Sequence, residues 1–162
     1  MNPATGLAAP DFTLPVDGGA TLSLRELRGR WVVLYFYPRD NTPGCTTEAL
    51  DFRDFAPDFA ALGAVVVGIS RDSVKSHDGF KAKHALPFLL ASDEDASVCQ
   101  AYGVWQEKTR YGRTSLGIER STFLIDAAGV VREVWSKVKV ADHAAAVLSA
   151  LRQHLGKEEG EK

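Results

Sequence analysis

The chain contains little cysteine, and this limits the kind of protein it can be. Among its 162 residues only two are cysteines, Cys45 and Cys99. Two thiols so far apart form no CxxC pair, no zinc-ligand set and no disulfide framework of the type found in small secreted proteins. Because 45% of the residues are hydrophobic, an ordinary apolar core suffices. We expect one compact domain that needs no metal ion or other cofactor.

Long apolar runs and blocks of like charge are also missing. Nowhere do about 18 apolar residues follow one another, as a membrane-spanning helix requires, and residues 1–10 lack the basic and apolar regions of a signal peptide. The 19 basic and 21 acidic residues are spread along the chain and give a formal net charge of -2. We therefore expect a cytoplasmic protein with neither a nucleic acid nor a membrane as partner.

Apolar runs rich in β-branched and aromatic residues alternate with amphipathic segments. The runs WVVLYFY at 31–37 and AVVVGIS at 64–70 are typical of buried parallel strands. The segment 47–62 between them has apolar residues at helical spacing and is long enough for a right-handed crossover. Further helices are expected over 73–84, 96–102 and 142–155, strands over 88–91, 121–125 and 130–135, and a small hairpin within 9–22.

The order of these elements predicts the fold class. Parallel strands come first and an antiparallel hairpin comes later, with helices able to cover both faces of the sheet. We expect an α/β, thioredoxin-like fold with a mixed central sheet flanked by helices and an N-terminal β-hairpin. A single domain would cover residues 1–155, and residues 156–162, in which charge and glycine replace apolar residues, would form a flexible tail.

Cys45 follows the first buried strand, at the edge where open α/β sheets place their ligands. Thr42 can cap the next helix and Pro43 suits its first position, so Cys45 falls within the first turn, near unpaired N–H groups and the positive end of the helix dipole. A thiolate is stabilised in such a place. The alternative is structural: a lone cysteine is more often a small buried hydrophobe, Thr42 only a cap and Pro38 only a strand terminator.

The segment 38–45 contains the groups that reduction of a peroxide requires. The reaction needs a thiolate, a donor that holds the peroxide, and dipoles that stabilise the charge developing as the O–O bond breaks. Thr42 offers a hydroxyl beside the thiolate, and the N–H groups of Gly44 and Cys45 can point at the peroxide oxygens. Pro38 can shield the pocket from water. A cation is missing from this segment.

The pattern Pro38-x-x-x-Thr42-x-x-Cys45 resembles the PxxxTxxC motif of the peroxiredoxins, and its setting, FYPRDNTPGCTTEALDFRD, is similar to the bacterioferritin-comigratory (PrxQ) branch. The likeness extends to APDFTL near the start, GISRDSVKSH after the second strand, and ERSTFLID at 119–126. It implies a thioredoxin-like peroxidase that reduces hydrogen peroxide and organic hydroperoxides through a Cys45 sulfenic acid, without a cofactor. The branch is often monomeric, and we expect a monomer.

The resemblance also supplies the missing cation. In this family an arginine on a later strand contacts the reactive sulfur, and the matching residue is Arg120. A fixed guanidinium there would favour the thiolate and hold the peroxide. Glu48 stands where the family commonly has a polar residue, which would orient an arginine in the pocket.

The step that follows peroxide reduction is less settled. A sulfenic acid on Cys45 must condense with a thiol before further peroxide oxidises it irreversibly. The positions at which this branch commonly has a resolving cysteine hold Leu50 and Lys81. We expect Cys99 to be inert packing on a short helix, and an external thiol, such as thioredoxin, glutaredoxin or a small thiol, to resolve Cys45. A Cys45–Cys99 disulfide is the alternative, and it needs Cα atoms within about 7 Å or local unfolding.

Other protein classes also use single cysteines. A non-catalytic thioredoxin-like redox sensor stays open as an alternative. A disulfide oxidoreductase is disfavoured because Glu48 replaces the second cysteine of a CxxC, and a cysteine phosphatase because Asp51 replaces the arginine of CxxxxxR. The histidines show no metal-ligand spacing and no sign of coupling to Cys45, so we expect them at the surface: His77, His84, His143 and His154.

Overall fold

The chain alternates strands and helices as expected from its apolar periodicity. The structure is a computed structural model that describes residues 2–160. Two short 3-10 helices lie near the start, at Asp17–Gly19 and Leu24–Leu27. The other elements in chain order are β1 (Thr13–Pro15), β2 (Thr21–Ser23), β3 (Trp31–Phe36), α1 (Pro43–Ala61), β4 (Ala64–Ser70), α2 (Val74–His84), β5 (Leu89–Ser92), α3 (Ser97–Ala101), β6 (Trp105–Arg110), β7 (Arg113–Ile118), β8 (Ser121–Ile125), β9 (Val131–Trp135) and α4 (His143–Gly160).

A five-stranded mixed sheet of order β5-β4-β3-β8-β9 forms the centre of the protein. β3, β4 and β5 are parallel neighbours, whereas β8 pairs antiparallel with both β3 and β9. β1 and β2 form the expected N-terminal hairpin. The predicted α/β fold with a mixed central sheet is therefore confirmed. None of the helices within residues 2–160 is long and apolar enough to cross a bilayer.

The central strand β3 is buried on both faces, and its side chains alternate between two apolar clusters. Phe36 belongs to the cluster that contains Cys99, and its neighbour Tyr35 belongs to the cluster that contains Cys45. Successive side chains of a strand point to opposite faces of the sheet. The sheet therefore separates the two cysteines, and we call its two sides the Cys45 face and the Cys99 face.

Helix α1 covers the Cys45 face. It begins at Pro43, four residues before the expected start, because a proline with its fixed φ fits the first helical position. Ala49, Phe52 and Phe59 are its buried apolar residues after the first turn, and they pack in the Cys45 cluster. This packing anchors the helix whose first turn carries Cys45.

Two parts of the structure differ from the sequence-based expectations. The hairpin of β6 and β7 was not predicted; it is largely exposed, and its two-residue turn is Tyr111-Gly112, both with positive φ. Helix α4 continues to Gly160, so the predicted end of the last helix at Leu155 is wrong. Residues 161–162 of the predicted tail lie outside the described residues.

We predict that Phe52→Ala lowers the free energy of unfolding by about 3–5 kcal/mol, because it leaves a cavity in a core that cannot fully collapse. The Phe52 ring is fully buried and stacks on Tyr35, with 4.7 Å between ring centroids. Urea unfolding measures the change. Phe55→Ala, which removes a half-buried ring three residues further along α1, is the control, and an equal loss in both variants would contradict the prediction.

Candidate active site

Cys45 lies in the first turn of α1, three residues after Thr42 at the N-cap position. The first backbone hydrogen bond of the helix runs from the N–H of Thr46 to the carbonyl of Thr42, so the N–H groups of Gly44 and Cys45 precede the helical ladder. Such N–H groups and the helix dipole favour a negative charge nearby. The Cys45 side chain is only 1% exposed, which shields the sulfur from bulk water.

The guanidinium of Arg120 contacts the sulfur of Cys45. Its Nη2 donates a hydrogen bond to Cys45 Sγ at 3.4 Å, and its Nη1 donates to Glu48 Oε1 at 2.7 Å. A Cβ atom on Gly44 would stand 3.2 Å from Arg120 Nη2, so the glycine lets the guanidinium approach the helix closely. The structure thus brings Cys45, Gly44, Glu48 and Arg120 together, although Arg120 is 75 positions from the cysteine.

Glu48 is a buried acid whose charge depends on its surroundings. Its side chain is 1% exposed, and its second oxygen, Oε2, has no hydrogen-bond partner among the described residues. Burial raises the pKa of Glu48 to about 7, although the positive charge of Arg120 acts to lower it. The guanidinium of Arg120 thus lies between this buried carboxyl and the sulfur of Cys45.

Thr42 and Pro38 lie on the loop between β3 and α1. The Thr42 hydroxyl donates a hydrogen bond to the Arg39 carbonyl at 2.9 Å and makes no side-chain cap on α1; the predicted side-chain cap is wrong, although Thr42 does occupy the N-cap position. A hydroxyl that donates in this way keeps lone pairs that can accept a hydrogen bond. Pro38 is half-buried and lies two residues after the end of β3.

A buried ion pair that sequence reasoning missed holds the same loop. His77 Nδ1 lies 2.8 Å from Asp40 Oδ2, and His77 Nε2 lies 3.0 Å from the Ala91 carbonyl oxygen. Both partners of the ring accept hydrogen bonds when Asp40 is ionised, so the geometry fits a doubly protonated imidazolium. Burial acts to lower the pKa of His77. The hydrogen bond with Asp40 and the attraction of its negative charge outweigh this effect, so the pKa of His77 is raised overall. Asp40 also accepts hydrogen bonds from Tyr37 Oη at 2.5 Å and Ser76 Oγ at 2.8 Å.

Two of the four histidines are therefore not surface residues, contrary to expectation. His77 is fully buried and His143 is 6% exposed. The Nε2 atom of His143 lies 2.8 Å from Thr122 Oγ1, and burial, followed by the charge of Arg120, lowers its pKa to about 4. Their partners lie far away in the sequence, so no local pattern indicated burial. His84 and His154 are half-buried.

Asp40, Asp72 and His77 also place three potential metal-ligand atoms within 4.8 Å of one another. The hydrogen bonds described above already use both oxygens of Asp40. Asp72 Oδ2 accepts from Ser70 Oγ at 2.6 Å and from the N–H of Asp40 at 2.8 Å. Because buried polar groups are stable once hydrogen-bonded, this cluster is explained as a polar network that ties the β3–α1 loop to β4 and α2.

Cys99 lies on the Cys99 face and is fully buried. Its N–H donates to Asp93 Oδ2 at 2.7 Å. Burial, together with the nearby carboxylate of Asp93, raises the pKa of the Cys99 thiol. This thiol is held in its protonated, weakly nucleophilic form, in contrast to the environment of Cys45 at a helix N-terminus.

A thioredoxin-like sheet that holds a buried thiol between a helix N-terminus and an arginine is the architecture of a thiol peroxidase. The model of the AhpC/TSA family matches residues 5–134. The chain belongs to this family.

Known relatives agree with this assignment. The chain is 54% identical over 150 residues to peroxiredoxin Bcp of Xanthomonas campestris, covering 91% of this chain and 94% of the relative. It is 51% identical over 147 residues to peroxiredoxin Bcp of Bacillus subtilis, with the same coverage of 91% and 94%. A structure of the X. campestris bacterioferritin comigratory protein, reported with its alkyl peroxide reduction activity, superposes with a TM-score of 0.88 at 51% identity, over 93% of this chain and 99% of that one.

The fold, the site and these relatives agree on one class of activity. The protein is an enzyme, a thiol peroxidase of the peroxiredoxin type that acts on peroxides with a thiol as reductant. The resemblance noted from the motif is thereby confirmed.

We predict that Asp40→Asn lowers the free energy of unfolding by about 3–5 kcal/mol at pH 6, because it leaves a buried imidazolium without its anion. The pKa of Asp40 is lowered, mainly by His77 and Tyr37 against the effect of burial, and that of His77 is raised. The pair therefore contributes its full stabilisation between the ordinary pKa values of the two groups, 3.8 for Asp40 and 6.5 for His77. The contribution of Asp40 is lost as the pH falls through its lowered pKa, and that of His77 is lost as the pH rises through its raised pKa.

Urea unfolding of both proteins between pH 4 and pH 9 tests this. The control is Asp58→Asn, which removes one partner of a surface pair with Arg152 at 3.7 Å and should change stability by no more than about 1 kcal/mol. If Asp40→Asn destabilised the protein no more than this control, the imidazolium assignment would be wrong.

Proposed function

We propose that the enzyme reduces hydroperoxides by a one-cysteine mechanism in which Cys45 is oxidised and an external thiol restores it. The contact of Arg120 with Cys45 Sγ at 3.4 Å is the observation that supports the peroxidatic role of this cysteine. The position of Cys99 on the opposite face of the sheet supports resolution from outside.

The Cys45 thiolate attacks the terminal oxygen of the hydroperoxide, and the O–O bond breaks. The hydroperoxide proton moves to the leaving oxygen, which departs as water or an alcohol, and Cys45 is left as a sulfenate. A proton from solvent, equivalent to the one lost when the thiol ionised, converts the sulfenate to the sulfenic acid. In this proposal the guanidinium of Arg120 and the N–H groups of Gly44 and Cys45 stabilise the negative charge. Thr42 accepts a hydrogen bond from the hydroperoxide.

Two residues support this arrangement without taking part in bond changes. Glu48 accepts the 2.7 Å hydrogen bond from Arg120 and so aims the guanidinium at the sulfur. Pro38, half-buried at the end of β3, limits the access of water. Both are positioning residues in this proposal.

Regeneration then needs two molecules of thiol. The first condenses with the sulfenic acid to give a mixed disulfide and water, and the second reduces that disulfide. The usual positions of a resolving cysteine hold a leucine and a lysine, so neither offers a thiol. Leu50 is half-buried, and Lys81 is paired with Asp17 at 2.6 Å. Thioredoxin, glutaredoxin or a small thiol can supply the reductant.

A Cys45–Cys99 disulfide, the alternative, would require these residues to leave opposite sides of a buried sheet. We also propose that the enzyme is cytoplasmic, because free thiols persist in reducing compartments. We propose that it is a monomer, as the resemblance to the PrxQ branch implies.

We predict that Arg120→Gln lowers kcat/KM for hydrogen peroxide by about a hundred- to a thousandfold, the usual effect of removing one charge-stabilising donor. It should also slow alkylation of Cys45 by iodoacetamide at pH 6. Stopped-flow kinetics and alkylation rates measure the two effects. Arg25→Gln, which removes an exposed arginine paired with Asp11, should behave as wild type, and an Arg120→Gln variant as fast as this control would contradict the role of Arg120.

We predict that Cys99→Ala keeps full multi-turnover peroxidase activity, whereas Cys45→Ser has none. Mass spectrometry after one equivalent of peroxide, with a sulfenic-acid trap present, should find the trap on Cys45 and a free thiol on Cys99. A loss of two hydrogens with both thiols blocked would establish the disulfide route. An unreactive Cys45 would instead indicate a non-catalytic protein.

A further inference from the structure

A cleft of about 460 Å³ opens beside the loop that leads to Cys45. Its lining includes Pro38 and Arg39 of that loop, Arg71 after β4, and residues of the β6–β7 hairpin, namely Trp105, Lys108 and Ile118. The loop and the hairpin are both close along the chain to residues of the candidate active site. The loop continues from Arg39 to Thr42 and Cys45, and Ile118 precedes Arg120 by two residues.

Three of the residues that line this cleft are cationic: Arg39, Arg71 and Lys108. The Arg71 guanidinium lies over the Trp105 ring, with 4.7 Å from Cζ to the ring centroid, and its Nε and Nη2 donate to the Glu94 carbonyl at 3.1 and 3.0 Å. Arg39 also lines the cleft and is exposed. The ammonium group of Lys108 donates to the Ile118 carbonyl, which places it at the same mouth.

The cleft also contains one acid, Asp72. Its Oδ2 is engaged by Ser70 Oγ and by the N–H of Asp40, so this oxygen is turned toward the polar network beneath the loop. Against this one acid, the lining contains three cationic side chains and an indole ring. Guanidinium groups with a planar, fixed arrangement of donors suit carboxylates.

We propose that this cleft docks the external reductant, and that the reductant is a low-molecular-weight thiol that carries carboxylate groups. The inference rests on the one-cysteine mechanism proposed above. Hydrogen peroxide is small and uncharged and needs no cationic cleft, whereas the thiol that meets the Cys45 sulfenic acid is larger and must be oriented. With its carboxylate held by Arg39 and Arg71, the thiol sulfur forms the S–S bond to Cys45, and the sulfenic oxygen leaves as water.

The experiment measures how fast the Cys45 sulfenic acid, formed with one equivalent of hydrogen peroxide, reacts with two small thiols. 3-Mercaptopropionate carries a carboxylate and 2-mercaptoethanol is neutral; each rate constant is corrected for the thiolate fraction. We expect the ratio of the first rate constant to the second to fall about fivefold or more in Arg39→Gln/Arg71→Gln, since each exposed charge has a few-fold effect. Added salt should lower the wild-type ratio as well.

The control is Lys83→Gln/Lys157→Gln, which removes two exposed lysines on α2 and α4 and makes the same change in net charge. Its ratio should match wild type. Because the readout compares two thiols on one variant, a general loss of activity cancels. An unchanged ratio in the arginine variant, or an equal fall in the lysine variant, would overturn the proposal.

A second arm separates the reductant from the oxidising substrate. Oxidation of Cys45 is compared for tert-butyl hydroperoxide and for an alkyl hydroperoxide that carries a carboxylate. If Arg39→Gln/Arg71→Gln changes the ratio of the two oxidation rates but leaves the ratio of the two thiol rate constants unchanged, the cleft binds the peroxide and the proposal is wrong. A Cys45–Cys99 disulfide that forms before any thiol is added would instead refute the one-cysteine mechanism itself, which mass spectrometry detects separately.

Discussion

Burial of β3 on both faces is the constraint on which the active site depends. Its last residue, Phe36, pairs with Ser121 of β8, and Arg120 directly precedes that partner. On the other side of the strand end, the chain turns through residues 37–42 into α1. The pairing of β3 with β8 therefore delivers the guanidinium to the end of the strand at which the helix delivers the sulfur. A long-range strand pairing, and not the local sequence around Cys45, creates their contact.

Two ion pairs fix residues on either side of the junction between β3 and α1. Arg120–Glu48 lies on the side of α1 and β8, and His77–Asp40 lies on the side of α2 and β5. Buried pairs often add little net stability because desolvation opposes their attraction. Their value here is geometric, since charges fixed before the substrate arrives need no reorganisation during the reaction. The catalytic loop is thus held by electrostatics as well as by packing.

Much of the fold could be predicted from the sequence, because strands such as β3 and β4 are continuous apolar runs and α1 has helical periodicity. Cys45, Thr42 and Pro38 lie within eight positions, so a local motif could place them. Arg120 was placed only through resemblance to a family. His77 and His143 were misjudged because their partners lie 37 and 21 positions away. The β6–β7 hairpin was missed because its exposed strands lack an apolar alternation and only the Tyr111-Gly112 turn marks it.

The separation of Cys45 and Cys99 by the sheet has a consequence for how the enzyme endures oxidative stress. In an enzyme with its own resolving thiol, the sulfenic acid is converted to a disulfide at a rate that does not depend on the concentration of external thiol. Under the proposed one-cysteine mechanism, the sulfenic acid of this enzyme reacts only with a thiol from solution, while a second peroxide molecule competes for the same sulfur, and that second oxidation is irreversible for most enzymes. The fraction of enzyme that survives a burst of peroxide then follows the ratio of thiol to peroxide around it. The number of turnovers that each enzyme molecule completes before it is inactivated then depends on the concentration of reduced thiol around it.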